Sequence, residues 1–152
     1  MKKESKEKAI IYYTSKNNVN NNMEDCLINY CSDKHLEVIY IYEIVAHTKR
    51  GSKKILSDIL AFIMSITDRI HIVCNDFYDI FQDVGDLQIL EPLITTGKIT
   101  IHILKQNFII DKNSYDADMI NRINIMLLTR YCYINTLSHN IKAAKNHKKK
   151  HK

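Results

Sequence analysis

Six lysines crowd the last eleven residues of this 152-residue chain: Lys142, Lys145, Lys148, Lys149, Lys150 and Lys152. Ammonium groups at that density bind phosphate oxygens as point charges. They also set the sign of the molecule. The net charge is +5 from 22 basic and 17 acidic residues, and removing these six leaves 16 basic against 17 acidic over residues 1–141. A near-neutral body with a cationic arm points to a polyanionic partner, nucleic acid before membrane, met through backbone contacts. The competing reading of the arm is a solvated, frayed terminus. Arg130, which interrupts the apolar stripe ahead of the lysines, joins them as a DNA-contacting candidate.

Other chemistries find less support. Cys26, Cys31, Cys74 and Cys132 form no CxxC and no paired knuckles, so they read as reduced thiols rather than zinc ligands or a disulfide framework. Histidines 35, 47, 71, 102 and 139 lack metal-ligand spacing, and His147 and His151 belong to the tail. His71 and His102 alternate with isoleucines and read as hydrogen-bonded structural histidines. Tyr12, Tyr13, Tyr40, Tyr42, Tyr131 and Tyr133 are expected to face the core with their hydroxyls in water. Three glycines cannot build a phosphate-cradling loop. No metal and no small-molecule cofactor are expected. The N-terminus MKKESKEKA is no signal peptide, and no segment reaches the roughly 20 apolar residues of a membrane span. Cytoplasmic residence, without membrane attachment, is the expectation.

The elements that must position any site alternate along the chain. Strands are predicted over 9–13, 36–44, 69–74 and 98–104, each a β-branched or aromatic run. Helices are predicted over 23–34 with Asn22 as N-cap, over 52–66 with Ser52 as cap, and over 87–95, closed by Gly97. Segment 45–51 is a polar connection, Asn75-Asp76 opens a loop, and a further loop covers 106–115. Strand and helix at this spacing argue for an α/β fold, a mostly parallel sheet of four to five strands flanked by helices. Ligands on such sheets bind at the strands' carboxyl ends, here Thr14-Ser15-Lys16, Glu43 to Thr48, Asn75 to Asp79, and Lys105 to Asn107. The last element is one long helix over 116–144. Ile120, Ile123, Leu127, Ile134, Leu137 and Ile141 recur along it at three- and four-residue steps. Four segments result: a charged extension over 1–8, an α/β domain over 9–115, the long helix over 116–144 and a basic tail over 145–152.

Several stretches in this order resemble the catalytic domain of serine recombinases, the resolvase/invertase family. Ile10-Ile11-Tyr12-Tyr13 is similar to that family's first strand. Met23-Glu24-Asp25 followed by Tyr30-Cys31 is similar to its first helix. Lys53 to Leu60 (KKILSDIL) resembles its second helix, and Ile72 to Tyr78 (IVCNDFY) its third strand. Leu137-Ser138-His139-Asn140-Ile141-Lys142 resembles a segment of its long helix. The resemblance covers roughly residues 8–144. It implies a resolvase-like fold, pairing of two subunits through the long helix, DNA as partner, and the chemistry of site-specific recombination. In that chemistry a serine hydroxyl attacks a phosphodiester while clustered arginines stabilise the charge that develops. Carried over residue by residue, the catalytic candidates are Ser15 as nucleophile, Asp76 as site carboxylate and Lys53 as cation, with Arg50 as the alternative to Lys53.

The chain departs from the family's pattern where charge matters most. Read without a gap from Tyr12, the arginine position of the first strand holds Thr14 and the serine position holds Lys16, with Ser15 one residue early. The two arginines that follow the matched Asp76 have become Phe77 and an apolar residue at 80 or 81. Guanidinium forks are worth about 2.7–4 kcal/mol each as oxyanion donors, so impaired strand exchange is the expectation. Family members continue into a DNA-binding region beyond the long helix, and this chain is expected to lack it. Two alternatives stay open: a non-enzymatic, dimerising or DNA-associated interaction module, and a receiver-like signalling domain. The receiver reading uses Asp76 and Lys105 but lacks an acidic pair after the first strand.

Overall fold

In the computed structural model, residues 5–15, 22–45 and 49–150 are described, and for 45, 49–54, 138 and 143–150 the description is of the backbone alone. The chain divides into two compact units, Met1–Tyr115 and Asp116–Lys152. The first is an α/β unit. Its strands are β1 (Glu7–Ser15), β2 (Leu36–Val45), β3 (Ile70–Cys74), β4 (Ile99–Ile103) and β5 (Phe108–Ile110). Its helices are α1 (Asn22–Asp33), α2 (Lys49–Ser65), α3 (Phe77–Ile80) and α4 (Val84–Thr95). The sheet order is β2-β1-β3-β4-β5, parallel throughout except for the antiparallel β5. The mostly parallel sheet expected from the sequence is the sheet observed.

Its centre is buried without interruption because both faces are covered. Every residue of β3 and β4 is buried, which is how the interior of a parallel sheet reads in sequence. One face packs Ala9, Ile11, Tyr13 and Val73 against Leu27 and Cys31 of α1. On the other, Phe77, Ile80 and Phe81 of α3 and its exit are buried with Leu87, Leu90 and Ile94 of α4. Phe77 stacks on Phe81 with ring centroids 4.8 Å apart.

Several boundaries differ from expectation. The loop predicted over 106–115 contains β5, too short for a periodic signal. The loop opened by Asn75-Asp76 contains α3, a four-residue helix held by a reciprocal capping box between Asp76 and Asp79. A second capping box, Asp83 with Asp86, starts α4 at Val84, three residues before the predicted Leu87. Ser52 lies inside α2 and Asn22 is the first helical residue of α1, so neither is a cap outside its helix. Gly97 ends α4 as predicted. At φ +79 it donates to Ile94 and is followed by Lys98 donating to Leu93, the paired bonds of a Schellman motif.

The second unit is the single helix α5 (Ala117–Lys150). It runs past the predicted end at 144 and takes residues 145–150 of the basic tail into the helix. Ile123 and Leu127 of its apolar stripe are buried, whereas Ile134, Leu137 and Ile141 are 45%, 48% and 49% exposed. Tyr131, Tyr133 and, on β2, Tyr40 are also exposed. The expectation that these three tyrosines face the core is corrected. Among the described residues no helix is long and apolar enough to cross a membrane.

Candidate functional site

The carboxyl ends of β1, β3 and β4 converge on two aspartates. Asp76, two residues beyond β3, accepts the Tyr78 amide at 3.1 Å, and Asp79 accepts the Asp76 amide at 2.9 Å. The bonds Leu104 N–H to Cys74 and Lys105 N–H to Asn75, at 3.1 and 2.7 Å, prolong the β3–β4 ladder. That places the next two side chains on Asp76. Gln106 donates its Nε2 to Asp76 Oδ1 at 3.1 Å and accepts the Phe77 amide on Oε1 at 3.0 Å. Lys105 Nζ lies 3.3 Å from Asp76 Oδ2. From β1, Thr14 bonds to the Asp79 carboxylate through both its hydroxyl and its backbone amide.

The two carboxylates sit in opposite electrostatic settings. Burial pushes Asp76 up, but the bonds from the Tyr78 amide, Gln106 and Lys105 outweigh it and hold the group below the usual carboxylate range. Asp79 is pushed up to about 6, first by burial and then by the charge of Asp76, against the bonds from the Asp76 and Thr14 backbones and the Thr14 hydroxyl. The same two charges reach inward. Tyr12 is raised by burial and by Asp79 and Asp86, and Cys74 by burial and by Asp79 and Asp76. A thiol held so firmly protonated is no nucleophile. Among the described residues no three His, Cys, Asp or Glu side chains are grouped to hold a metal ion.

The sequence candidates are distributed as follows. Ser15 is the last residue of β1 and half-buried. The β1–β2 register shifts only between Ala9 and Ile10, so the strand is regular through Ser15, which pairs with Val45. Consecutive strand residues project to opposite faces, and the hydroxyl that meets the aspartates is that of Thr14. Asp76 is at the centre of the cluster. Lys53 and Arg50 lie in α2, their side chains outside the described residues. Arg69 precedes β3 and donates to Thr100 at 3.0 Å, at the opposite end of the sheet from Asp76. Arg130 is half-buried on α5 and Lys142 is exposed there, whereas Lys145, Lys148, Lys149 and Lys150 are described only as helical backbone, and Lys152 lies outside the described residues.

Sequence reasoning did not single out Asp79 or Gln106 as partners of Asp76, nor Thr14 as the partner of Asp79. The spacing Asp76-x-x-Asp79 is a capping-box signal that could have marked the first pair. The contacts from Thr14 and Gln106 depend on strand order and register.

No protein-family model matches the sequence, and no curated protein matches it. Solved structures do match the fold. The N-terminal catalytic domain of TP901-1 integrase is similar with a TM-score of 0.51 at 15% identity, over 89% of this chain and 98% of that one. A resolvase family site-specific recombinase from Streptococcus pneumoniae is similar with a TM-score of 0.51 at 11% identity, over 92% and 99%. The fold is that of serine-recombinase catalytic domains, as the sequence resemblance implied. The likeness covers most of the chain, at identities too low for residue roles to follow from it.

Proposed function

We propose that this chain is a serine-recombinase-like domain of the site-specific DNA recombination class, with a strand-exchange centre impaired in this copy. It works in the cytoplasm, binds DNA through the basic end of α5 and pairs with a second copy along that helix. The single observation that carries the reading of the centre is the aspartate cluster. The strand ends that would have to hold a phosphodiester present Asp76 and Asp79, and the cation bonded there, Lys105, is already engaged by Asp76. Thr14 stands at the expected arginine position and is tied to Asp79. Phe77 stands at the next one and is fully buried.

The electrostatics oppose phosphoryl transfer at this point. A phosphoryl charge about 5 Å from a carboxylate is disfavoured by on the order of 3 kcal/mol at an effective dielectric near 20, which Lys105 beside Asp76 offsets only in part. Each missing oxyanion donor forfeits about 2.7–4 kcal/mol more. The test is a supercoiled two-site plasmid incubated with the purified chain and quenched in detergent. Intact plasmid with no protein–DNA adduct is expected. Cleaved or relinked product, or DNA attached covalently to Ser15, overturns the impaired centre.

DNA association is tested separately. Fluorescence anisotropy on a labelled duplex is expected to show affinity falling steeply with salt. Replacing the six tail lysines by glutamine reduces the log–log slope by up to roughly 5, at about 0.9 per phosphate neutralised. An unchanged slope and affinity reject the tail as the contact. The exposed apolar positions Ile134, Leu137 and Ile141 support the pairing helix, since an apolar stripe left in water on an ordered helix is stabilised by a second one.

A further inference from the structure

Four polar side chains form a hydrogen-bonded row across the α1 face of the sheet, beginning with Glu7 at the end of β1 remote from the aspartates. Glu7, opening β1, bonds to Nε2 of His71 on β3. Nδ1 of His71 lies 2.8 Å from Nε2 of His102 on β4, and Nδ1 of His102 lies 2.8 Å from the Tyr30 hydroxyl on α1. The register sets this up. His71 pairs with Thr100 and Val73 with His102, so the two histidines are diagonal neighbours on one face. Both are buried, while the Glu7 side chain is half-exposed.

The donors in this row have one consistent direction when no extra proton is present. An ionised carboxylate only accepts, so His71 donates from Nε2. A neutral ring then accepts at Nδ1, so His102 donates from its own Nε2 and accepts the Tyr30 hydroxyl at Nδ1. Every group is satisfied. One added proton, taken up at His102, turns its Nδ1 into a donor. Its Nε2 still donates to His71, and the Tyr30 oxygen now accepts from Nδ1, so the Tyr30 O–H is turned away from its acceptor in the row. A second proton sets two N–H groups face to face between two cations.

We propose that the Glu7–His71–His102–Tyr30 row is an acid-sensitive latch seating α1 on the sheet, satisfied as it stands and losing a needed acceptor with each proton taken up. The surrounding charges are mixed. Burial, His71 and Lys34 just beyond α1 push His102 down to about 4, against Asp111 beyond β5 and Glu7 of β1. Lys34 Nζ stands 5.8 Å from the centre of the Tyr30 ring. Arg69 is held on Thr100, the register partner of His71. Beside Tyr30, burial keeps the Cys31 thiol protonated up to about 11. Releasing α1 uncovers Leu27 and Cys31, both fully buried in the seated state. This inference is independent of the proposed recombination class.

The test is nitrogen NMR of the imidazoles together with amide exchange along α1 in the full chain. Near pH 7.5 both His71 and His102 are expected as Nε2–H tautomers. Below about pH 6, exchange at Leu27, Tyr30 and Cys31, corrected for its intrinsic rate, is expected to rise by up to about tenfold per pH unit for each proton taken up. His102→Gln keeps a donor and an acceptor without titrating, and it is expected to abolish that rise. An equal rise in the variant, or none in the wild-type chain, overturns the latch. Should the variant not fold, the wild-type tautomers decide: an Nδ1–H form of either ring at pH 7.5 overturns it.

Discussion

Thr14 and Asp79 share two hydrogen bonds, one from the threonine hydroxyl and one from its amide, at the point where the end of β1 meets α3. The sequence resemblance places a guanidinium at Thr14. The fold instead puts a short neutral donor there, matched to a buried carboxylate. Among the described residues, Thr14 and Asp79 thereby satisfy one another, and the cation bonded at the neighbouring Asp76, Lys105, is already engaged.

Replacing Thr14 by valine keeps its shape and amide but deletes one donor to a buried acceptor. The expected cost is about 1–2 kcal/mol in urea denaturation. Asp79, already raised to about 6, should titrate higher still when followed by carboxyl-carbon NMR. An unmoved Asp79 would show that the hydroxyl bond contributes nothing.

Asp79 and His102 pull pH dependence in opposite directions over one window. Asp79 is raised to about 6 in the folded chain, so its contribution is full below the unfolded value near 4 and is lost as pH rises through 6. His102 is lowered to about 4, so its contribution is full above the unfolded value near 6.5 and is lost as pH falls toward 4. Each amounts to on the order of 3 kcal/mol. Wild-type stability between pH 4 and 6 is therefore expected to be nearly flat with respect to these two groups. Asp79→Asn should lose stability on acidification and His102→Gln should gain it, giving crossing curves in denaturant titrations at several pH values. Parallel curves would contradict both assignments.

Restoring an arginine at residue 77 is expected to damage the fold rather than revive a centre. Phe77 is fully buried, stacked on Phe81 and edge-on to Tyr78 at 5.3 Å. Phe77→Arg removes that packing and buries a charge, with an expected loss of about 3–5 kcal/mol. Circular dichroism through a thermal ramp would register it. A variant as stable as the parent would mean that residue 77 can turn outward.

On α5, Leu137 is 48% exposed, so Leu137→Asp should leave the secondary structure intact. Sedimentation equilibrium is expected to show association of the wild-type chain in the micromolar to millimolar range and a monomeric variant. A wild-type chain that stays monomeric throughout would remove the pairing helix.

The parallel sheet was legible because strand and helix alternate along the chain at βαβ spacing, which brings successive strands side by side in one direction. The close of α4 was legible because Gly97 adopts a backbone that disfavours side chains. β5 and α3 were not legible. Three residues and four residues carry no period, and both are set by neighbours brought in from elsewhere. In the site, Asp76 was visible as a strand-end acid, but its bonds to Lys105 and Gln106 span 29 and 30 positions. The histidine row shows the same limit. Alternation with isoleucine placed both rings on strands, but their contact exists because the β3–β4 register aligns Val73 with His102.

The 34 residues of α5 make a rod about 50 Å long at 1.5 Å per residue. Counter-ions damp a charge over about 8 Å at physiological ionic strength. Asp118 in its first turn and Lys142 near its far end are thus several screening lengths apart along the rod and do not sense each other. The cationic end keeps its full pull on a polyanion whatever titrates at the other end. Its ordered backbone also leaves less freedom to be given up on capture than a loose tail of the same composition would.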